Sequence, residues 1–235
     1  MISEHQFSTH YSSAWHTVAP LSDGFWAVEN MLVDRVMPPL PSRAPIGLRA
    51  VINETAFRAF CDLQSAAGIV GRHKAFDAVD KNAPEAIAYI SRFSSTPRIE
   101  LHDFDEVCKK EARALSFRLL HYFPEQTATL LRPKFSGCGL LSNCEGDLIE
   151  GDCLYEIKAG DRGFRIVDLR QLLTYAALAY ASRSLTFTYI GLFNPRTGVA
   201  WRKSLEDVCQ AISGFRLNDL LPTLIEQFSL ASASR

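Results

Sequence analysis

This chain has few of the features that would place it outside the class of ordinary globular proteins. Its uncharged run Gln171–Ser182 is short and mixed, whereas a bilayer-crossing helix needs about 20 apolar residues. The N-terminus, Met-Ile-Ser-Glu-His, has no basic region followed by an apolar one, so a cytoplasmic chain without a secretory signal is expected. Cysteines stand singly at 61, 108, 138, 144, 153 and 209, and no Cys-x-x-Cys occurs. That excludes a zinc ribbon and suits thiols buried in a core. The net charge of −1 gives no whole-chain bias toward a polyanion. Residues 1–97 contain neither a repeat nor a chemistry-bearing motif.

What is present is a chain of 235 residues, 47% hydrophobic and 22% charged, enough for one sizeable core with a smaller appendage. Charge is unevenly distributed. From Lys158 to Lys203 there are eight Lys or Arg against two Asp, a local net of +6. A basic segment of this kind suits a polyanion, although any single Arg in it reads equally well as solvated surface.

The chain is organised around Gly146–Tyr175. Two short apolar runs, Leu148–Ile149 and Cys153–Tyr155, flank Glu150-Gly151-Asp152. Gly at the first central position of a two-residue loop predicts a type II′ hairpin. With Gly151-Asp152 as that loop, Glu150 faces Cys153, Ile149 faces Leu154, and Asp147 lies opposite Glu156. Lys158 shares their face because strand side chains alternate. Like charges directly opposed destabilise a sheet. Either Lys158 alone compensates them as an ion pair, or a divalent cation with a taste for oxygen does, Mg²⁺ or Mn²⁺.

Downstream, Gln171 and Tyr175 are i, i+4 neighbours near the start of a helix predicted over Leu169–Ala181. Asp168 is the expected N-cap, and Asp168-x-x-Gln171 reads as a capping box. The helix N-terminus also favours a phosphate, with Arg165 and Arg170 beside it. Upstream, Asp103–Phe123 predicts a strong amphipathic helix. Its apolar face is Phe104, Val107, Cys108, Leu115, Leu119 and Tyr122. Glu111 falls inside that face and Glu106 opposite it. A buried carboxylate needs a partner; Glu111 either snorkels to solvent or pairs with an Arg, unless it serves as a ligand.

The ordered set Asp147, Glu156-x-Lys158 and Gln171-x-x-x-Tyr175, in a strand–turn–strand–helix context, resembles the PD-(D/E)XK nuclease superfamily, and its RecB-like branch in particular. The resemblance covers roughly residues 104–201. Gly146 stands where a Pro often precedes the first Asp, and the cysteine group that holds an iron–sulfur cluster in some RecB-type nucleases is missing. The resemblance implies an α/β restriction-endonuclease-like core over 98–235. That core would be a mixed central sheet in α-β-β-β-α-β order flanked by helices, with a mainly helical extension over 1–97. It implies Mg²⁺ or Mn²⁺ held by Asp147, Glu156, Glu111 and the Ile157 carbonyl, and catalysis by these carboxylates with Lys158, Gln171 and Tyr175. It further implies double- or single-stranded DNA bound by Arg162, Arg165 and Arg170, a helicase or ATPase partner, and service in repair or anti-phage defence. Two other readings stand beside it: a non-catalytic nuclease-fold module that binds nucleic acid or a protein, and a purely structural Asp147–Glu156–Lys158 ion network.

Elsewhere the apolar spacing from Phe25 to Val36 is helix-like, and Met37–Pro45 is a proline-rich break. Alternation over Ile46–Ile52 predicts a strand. Helices are expected over Thr55–Ala67, capped by Asn53 and stopped at Gly68, and from Pro84 to Phe93. Leu130–Leu141 reads as a first core strand broken at Gly137 and Gly139, either for close approach of a substrate or at a bulge. Leu185–Phe193 and Val199–Lys203 read as strands around a turn. A Ser204-capped helix ending at Gly214 and a last helix opening at Pro222 complete the chain.

Overall fold

The computed structural model describes residues 1–65, 72–92, 99–124 and 129–233. The chain forms two compact units: Met1–Met37 with Ala128–Asn194 and Val199–Arg235, and Pro38–Thr127 with Pro195–Gly198. The sequence boundary at 97/98 follows neither. The first helices belong with the sheet, and the helix carrying Glu111 belongs with the preceding helices.

The first unit is α/β. Short helices α1 (Glu4–His10), α2 (Ser12–Val18) and α3 (Ser22–Glu29) lead to the two-residue strand β1 (Asp34–Arg35). The helix-like spacing of Phe25–Val36 therefore ends at Glu29. Strands β2 (Thr129–Leu131), β5 (Leu148–Glu150), β6 (Cys153–Ile157), β7 (Tyr189–Asn194) and β8 (Val199–Ser204) join β1 in a six-stranded sheet ordered β1-β8-β7-β6-β5-β2. A separate ribbon pairs β3 (Lys134–Phe135) with β4 (Cys144–Glu145). Within this sheet β6 and β7 run parallel, joined through helix α7 (Ile166–Ser182), and the other pairs are antiparallel.

The central hairpin has the register read from the sequence: Ile149 pairs with Leu154 and Glu150 with Cys153. Gly151 has φ +57° and Asp152 is not left-handed, so the turn is type II′. Residues Cys153–Glu156 of β6 are all buried. A strand covered on both faces loses the apolar–polar alternation of a half-exposed one. Helix α7 lies among buried neighbours over most of its length, and Ala176, Ala177 and Ala179 let them approach closely. Phe7 of α1 packs edge-on against Phe228 of α9 (Leu217–Ala233), with ring centroids 5.0 Å apart. Trp26 and Trp201 pack at 5.0 Å on the α3 side.

Leu130–Leu141 is two short strands and a loop, not one strand. Cβ atoms added at Gly137 and Gly139 would meet the Leu141 and Phe228 carbonyl oxygens at 2.4 and 2.6 Å. These glycines therefore admit the chain's own backbone. Helix α8 (Leu205–Ser213) has the Ser204 hydroxyl accepting from the Asp207 N–H and Gly214 at φ +77° beyond its end. Helix α9 starts five residues before Pro222, at Leu217.

The second unit packs α4 (Arg49–Ser65), α5 (Arg72–Ser91) and α6 (Glu106–Tyr122) around Val51, Ile52, Leu63, Val79, Ile87 and Leu115. Ile46–Ile52 is not a strand. A 3-10 turn covers Ile46–Leu48 and α4 begins at Arg49, so the helix bounded by Asn53 in the sequence starts four residues earlier. Pro84 lies inside α5, which begins at Arg72. Burial of Val79, Ala83, Ala86 and Ile87 around it offsets the roughly 3 kcal/mol an interior proline costs. The expected helix stop at Gly68 and the connection over Ser94–Pro97 lie outside the described residues. Among the described residues, no helix is long and apolar enough to cross a membrane.

Candidate functional site

The site lies at the open end of the β5–β6 hairpin, one residue beyond the ladder on the β5 side. Leu148 pairs with Tyr155, so continuing the ladder sets Asp147 opposite Glu156. The Asp147 carboxylate turns across to accept from the Ile157 N–H at 2.6 Å. The Arg132 N–H donates to the Asp147 carbonyl at 2.8 Å. Gly146, in the place of proline, donates its N–H to the Pro133 carbonyl at 2.9 Å. A Cβ there would stand 3.1 Å from the Phe135 ring. Proline there would lose that hydrogen bond and crowd that ring.

Glu156 is 7% exposed. Its Oε1 accepts from the Lys158 ammonium at 3.0 Å, while its Oε2 is buried and has no hydrogen-bond partner among the described residues. Burial pushes the Glu156 carboxyl up; the Lys158 charge opposes this, and the Glu4 and Asp168 charges add to it. For Lys158 burial acts downward, but the charges of Glu156, Asp168 and Asp147 outweigh it and raise the ammonium. Asp147 and Glu156 thus act on the same ammonium, and both also act on the Tyr175 phenol.

Gln171 and Tyr175 stand behind that ammonium. Lys158 donates to Gln171 Oε1 at 2.8 Å, Gln171 Nε2 donates to the Tyr175 hydroxyl at 2.8 Å, and that hydroxyl donates to the Glu145 carbonyl at 3.3 Å. The Tyr175 ring stacks on Phe135 with centroids 4.9 Å apart. Burial, then the charges of Glu156, Glu4 and Asp147, push its phenol well above its ordinary value, so it remains a donor. Gln171 and Tyr175 are both buried, and the relay fixes which atom of the Gln171 amide faces Lys158.

The helix start differs from the sequence expectation, to the benefit of Gln171. The N-cap of α7 is Arg165, whose N–H donates to Asp168 at 2.8 Å; Asp168 occupies N3. Gln171 therefore has no capping duty. Asp168 also accepts two hydrogen bonds from Arg162, at 2.6 and 2.7 Å, and its Oδ1 lies 3.8 Å from the Lys158 ammonium. Of the arginines offered to DNA, Arg162 is held by Asp168 and Arg170 lies 5.6 Å over the Trp15 ring. Arg165 is exposed.

Glu111 belongs to the second unit and is 6% exposed, as its place on the apolar face requires. Its carboxylate accepts from the fully buried Arg196, from the Ser42 hydroxyl at 3.0 Å, and from the N–H groups of Arg43 and Ala44 at 3.1 and 3.3 Å. Burial acts to raise this carboxyl, but Arg196 and these donors outweigh it and hold it below the usual range. Of the two partners open to Glu111 in the sequence, the structure supplies the arginine.

Sequence reasoning missed Glu4. It opens α1, capped by a Ser3–Gln6 box, and its charge reaches Glu156, Tyr175 and Cys144. The Ser-x-x-Gln box was a readable signal for the helix; nothing local points that helix at the hairpin. Among the described residues, no three His, Cys, Asp or Glu side chains gather into a ready-made metal cage. Comparison of the chain with protein-family models, curated proteins and solved structures finds no match.

Proposed function

We propose that this protein is a metal-dependent nuclease that hydrolyses phosphodiester bonds in DNA, built on a restriction-endonuclease-like core. The observation that carries the reading is the free, buried Oε2 of Glu156, next to a lysine that a glutamine–tyrosine relay holds in place. The sheet order β2-β5-β6-β7, with β7 parallel to β6 across helix α7, supports the architecture.

The residues fit Mg²⁺ or Mn²⁺. Magnesium keeps several waters and is bound through one or two carboxylates plus substrate phosphates, not through a full protein cage. Asp147 and Glu156 would supply those two carboxylates, and the Ile157 carbonyl would be a third oxygen. When bound, the cation lowers the pKa of a water and neutralises charge on the phosphate. Lys158 keeps its proton at neutral pH and donates a hydrogen bond to the attacking water or to a phosphate oxygen that gains charge. Gln171 and Tyr175 position that ammonium, and Asp168 keeps it from swinging away. Arg165 offers a charge to the DNA backbone. A cytoplasmic role in repair or anti-phage defence suits such an enzyme.

The test is cleavage of circular, linear and single-stranded DNA, and of RNA, each in Mg²⁺, Mn²⁺ or EDTA. A second reading, a structural ion network, is favoured by the Lys158–Glu156 pair itself, in which the ammonium already balances the carboxylate's charge through Oε1. It predicts a thermal midpoint indifferent to Mn²⁺.

A further inference from the structure

Beyond helix α7 the backbone leaves hydrogen-bonding groups unused. Arg183 caps that helix in the left-handed region, at φ +51°. The sequence reads a strand from Leu185, but the ladder of β7 begins at Tyr189. Exposure nevertheless alternates before it: Ser184, Thr186 and Thr188 are exposed, and Leu185, Phe187 and Tyr189 are half-buried. That is the period of an extended strand. Among the described residues, Ser184–Phe187 neither donate nor accept a backbone hydrogen bond. Toward β6 the hairpin has already turned, and the Asp152 carbonyl accepts from the Thr188 and Tyr189 N–H groups. Toward β8 the helix α8 takes over at Leu205, whose N–H donates to the Thr188 carbonyl. The sheet therefore runs out on both sides of this segment.

A cleft of about 790 Å³ adjoins the segment, within the roughly 300–1,000 Å³ of ligand sites. Leu185 and Phe187 are among its walls, with Ala176 and Ala179 of α7 and Leu217 and Ile225 of α9. Two exposed charged side chains, Arg183 and Glu226, also line it. They do not pair with each other, and neither has an ion-pair partner among the described residues. A row of unpaired N–H and C=O groups is a template for another strand. A peptide added in this way draws affinity from main-chain hydrogen bonds and specificity from pockets for its alternate side chains.

We infer that Ser184–Phe187 is a docking edge for an extended segment of a partner protein. The segment adds as a strand and sets alternate apolar side chains into the cleft. It carries a carboxylate for Arg183 and a cationic side chain for Glu226. Unpaired charges of opposite sign commit the edge to such a peptide. A polyanion would be repelled by Glu226, and a hydrocarbon chain would answer neither the charges nor the row of backbone groups. The inference does not depend on the nuclease reading.

The experiment selects a displayed library of short random peptides on the full chain. Enriched peptides are expected to alternate apolar and polar residues, to lack proline in that stretch, and to carry an acidic and a basic residue. The tightest is then remade in two forms, each N-methylated at one alternate set of backbone amides, and binding is followed by fluorescence anisotropy. Only every second amide of an added strand faces its neighbour, so one set weakens binding about 2- to 10-fold per hydrogen bond lost and the other does not. Arg183→Gly suits the left-handed backbone and is expected to weaken binding up to about fivefold, with no such loss for a peptide whose acidic residue is replaced by glutamine. Thr186→Pro, checked for its fold by circular dichroism, removes a main-chain donor and weakens every enriched peptide. No enrichment, apolar residues at helical spacing, equal loss from both methylated sets, or binding indifferent to Arg183→Gly overturns the inference. So does a wild type that sediments as a dimer and a Thr186→Pro variant that does not, since the edge then belongs to a second copy of this chain.

Discussion

Replacing Glu111 with alanine is expected to weaken the helical unit by about 3–5 kcal/mol, the cost of breaking a buried ion pair from one side. The magnitude follows from what the carboxylate holds. Arg196 is 1% exposed, and Ser42, Arg43 and Ala44 all donate to the same two oxygens. Removing the acceptor withdraws the anion from a buried guanidinium and strips three further donors of a partner. Urea denaturation followed by circular dichroism reads the loss. With a slope of about 2 kcal/mol per molar, a 4 kcal/mol loss moves the midpoint by about 2 M. Glu111→Gln, which keeps the shape and one acceptor oxygen, is expected to lose less. The double replacement Glu111→Leu with Arg196→Met is expected to lose less than Glu111→Ala alone, because it removes both charges together. A Glu111→Ala protein within 1 kcal/mol of wild type would refute this account of the pair. Glu111→Gln, assayed while folded, is expected to retain metal-dependent cleavage; its loss would return Glu111 to the metal site.

The same carboxyl sets an acid limit. Its folded pKa is depressed, so its contribution is complete above the ordinary glutamate value of about 4.3 and is lost as pH falls through the lowered value. The stability gap between wild type and Glu111→Gln should therefore narrow in acid and be constant near neutrality. Tyr175→Phe removes the acceptor of Gln171 Nε2 and the donor to the Glu145 carbonyl. It should cost about 1–3 kcal/mol and slow cleavage while leaving the fold, with stopped-time assays as the measure. Mn²⁺ at a hundred times its dissociation constant should add about 2.7 kcal/mol to stability. The shift in thermal midpoint should vanish in Glu156→Gln.

The hairpin was legible because its signals are local: a glycine at a turn position and alternation on each side fix a register without help from distant chain. The Ser204 cap and the burial of Glu111 were legible for the same reason, from spacing alone. Ile46–Ile52 was not: Ile46 and Ala50 of its alternation are exposed, while Val51, outside it, is buried beside Ile52 on the helix, so tertiary packing and not local alternation decided the element. Pro84 and Pro222 misled because a proline is tolerated inside a helix that is held by its neighbours. At α7, Asp168 serves as a capping residue as expected, but from N3, bonding back to Arg165 three residues earlier. Glu4 lies 152 positions before Glu156 in the chain. Only packing of α1 on the sheet unit brings its charge to the site, and no short-range pattern encodes that.

The most direct measurement is cleavage of a labelled DNA by wild type, Glu156→Ala and Lys158→Ala, each in Mg²⁺ and in excess EDTA, with the fold of every variant checked by thermal melting. Wild type should cut in Mg²⁺ and stop in EDTA, and both folded variants should be inactive. Full activity in either variant, or in the chelator, would contradict the assignment.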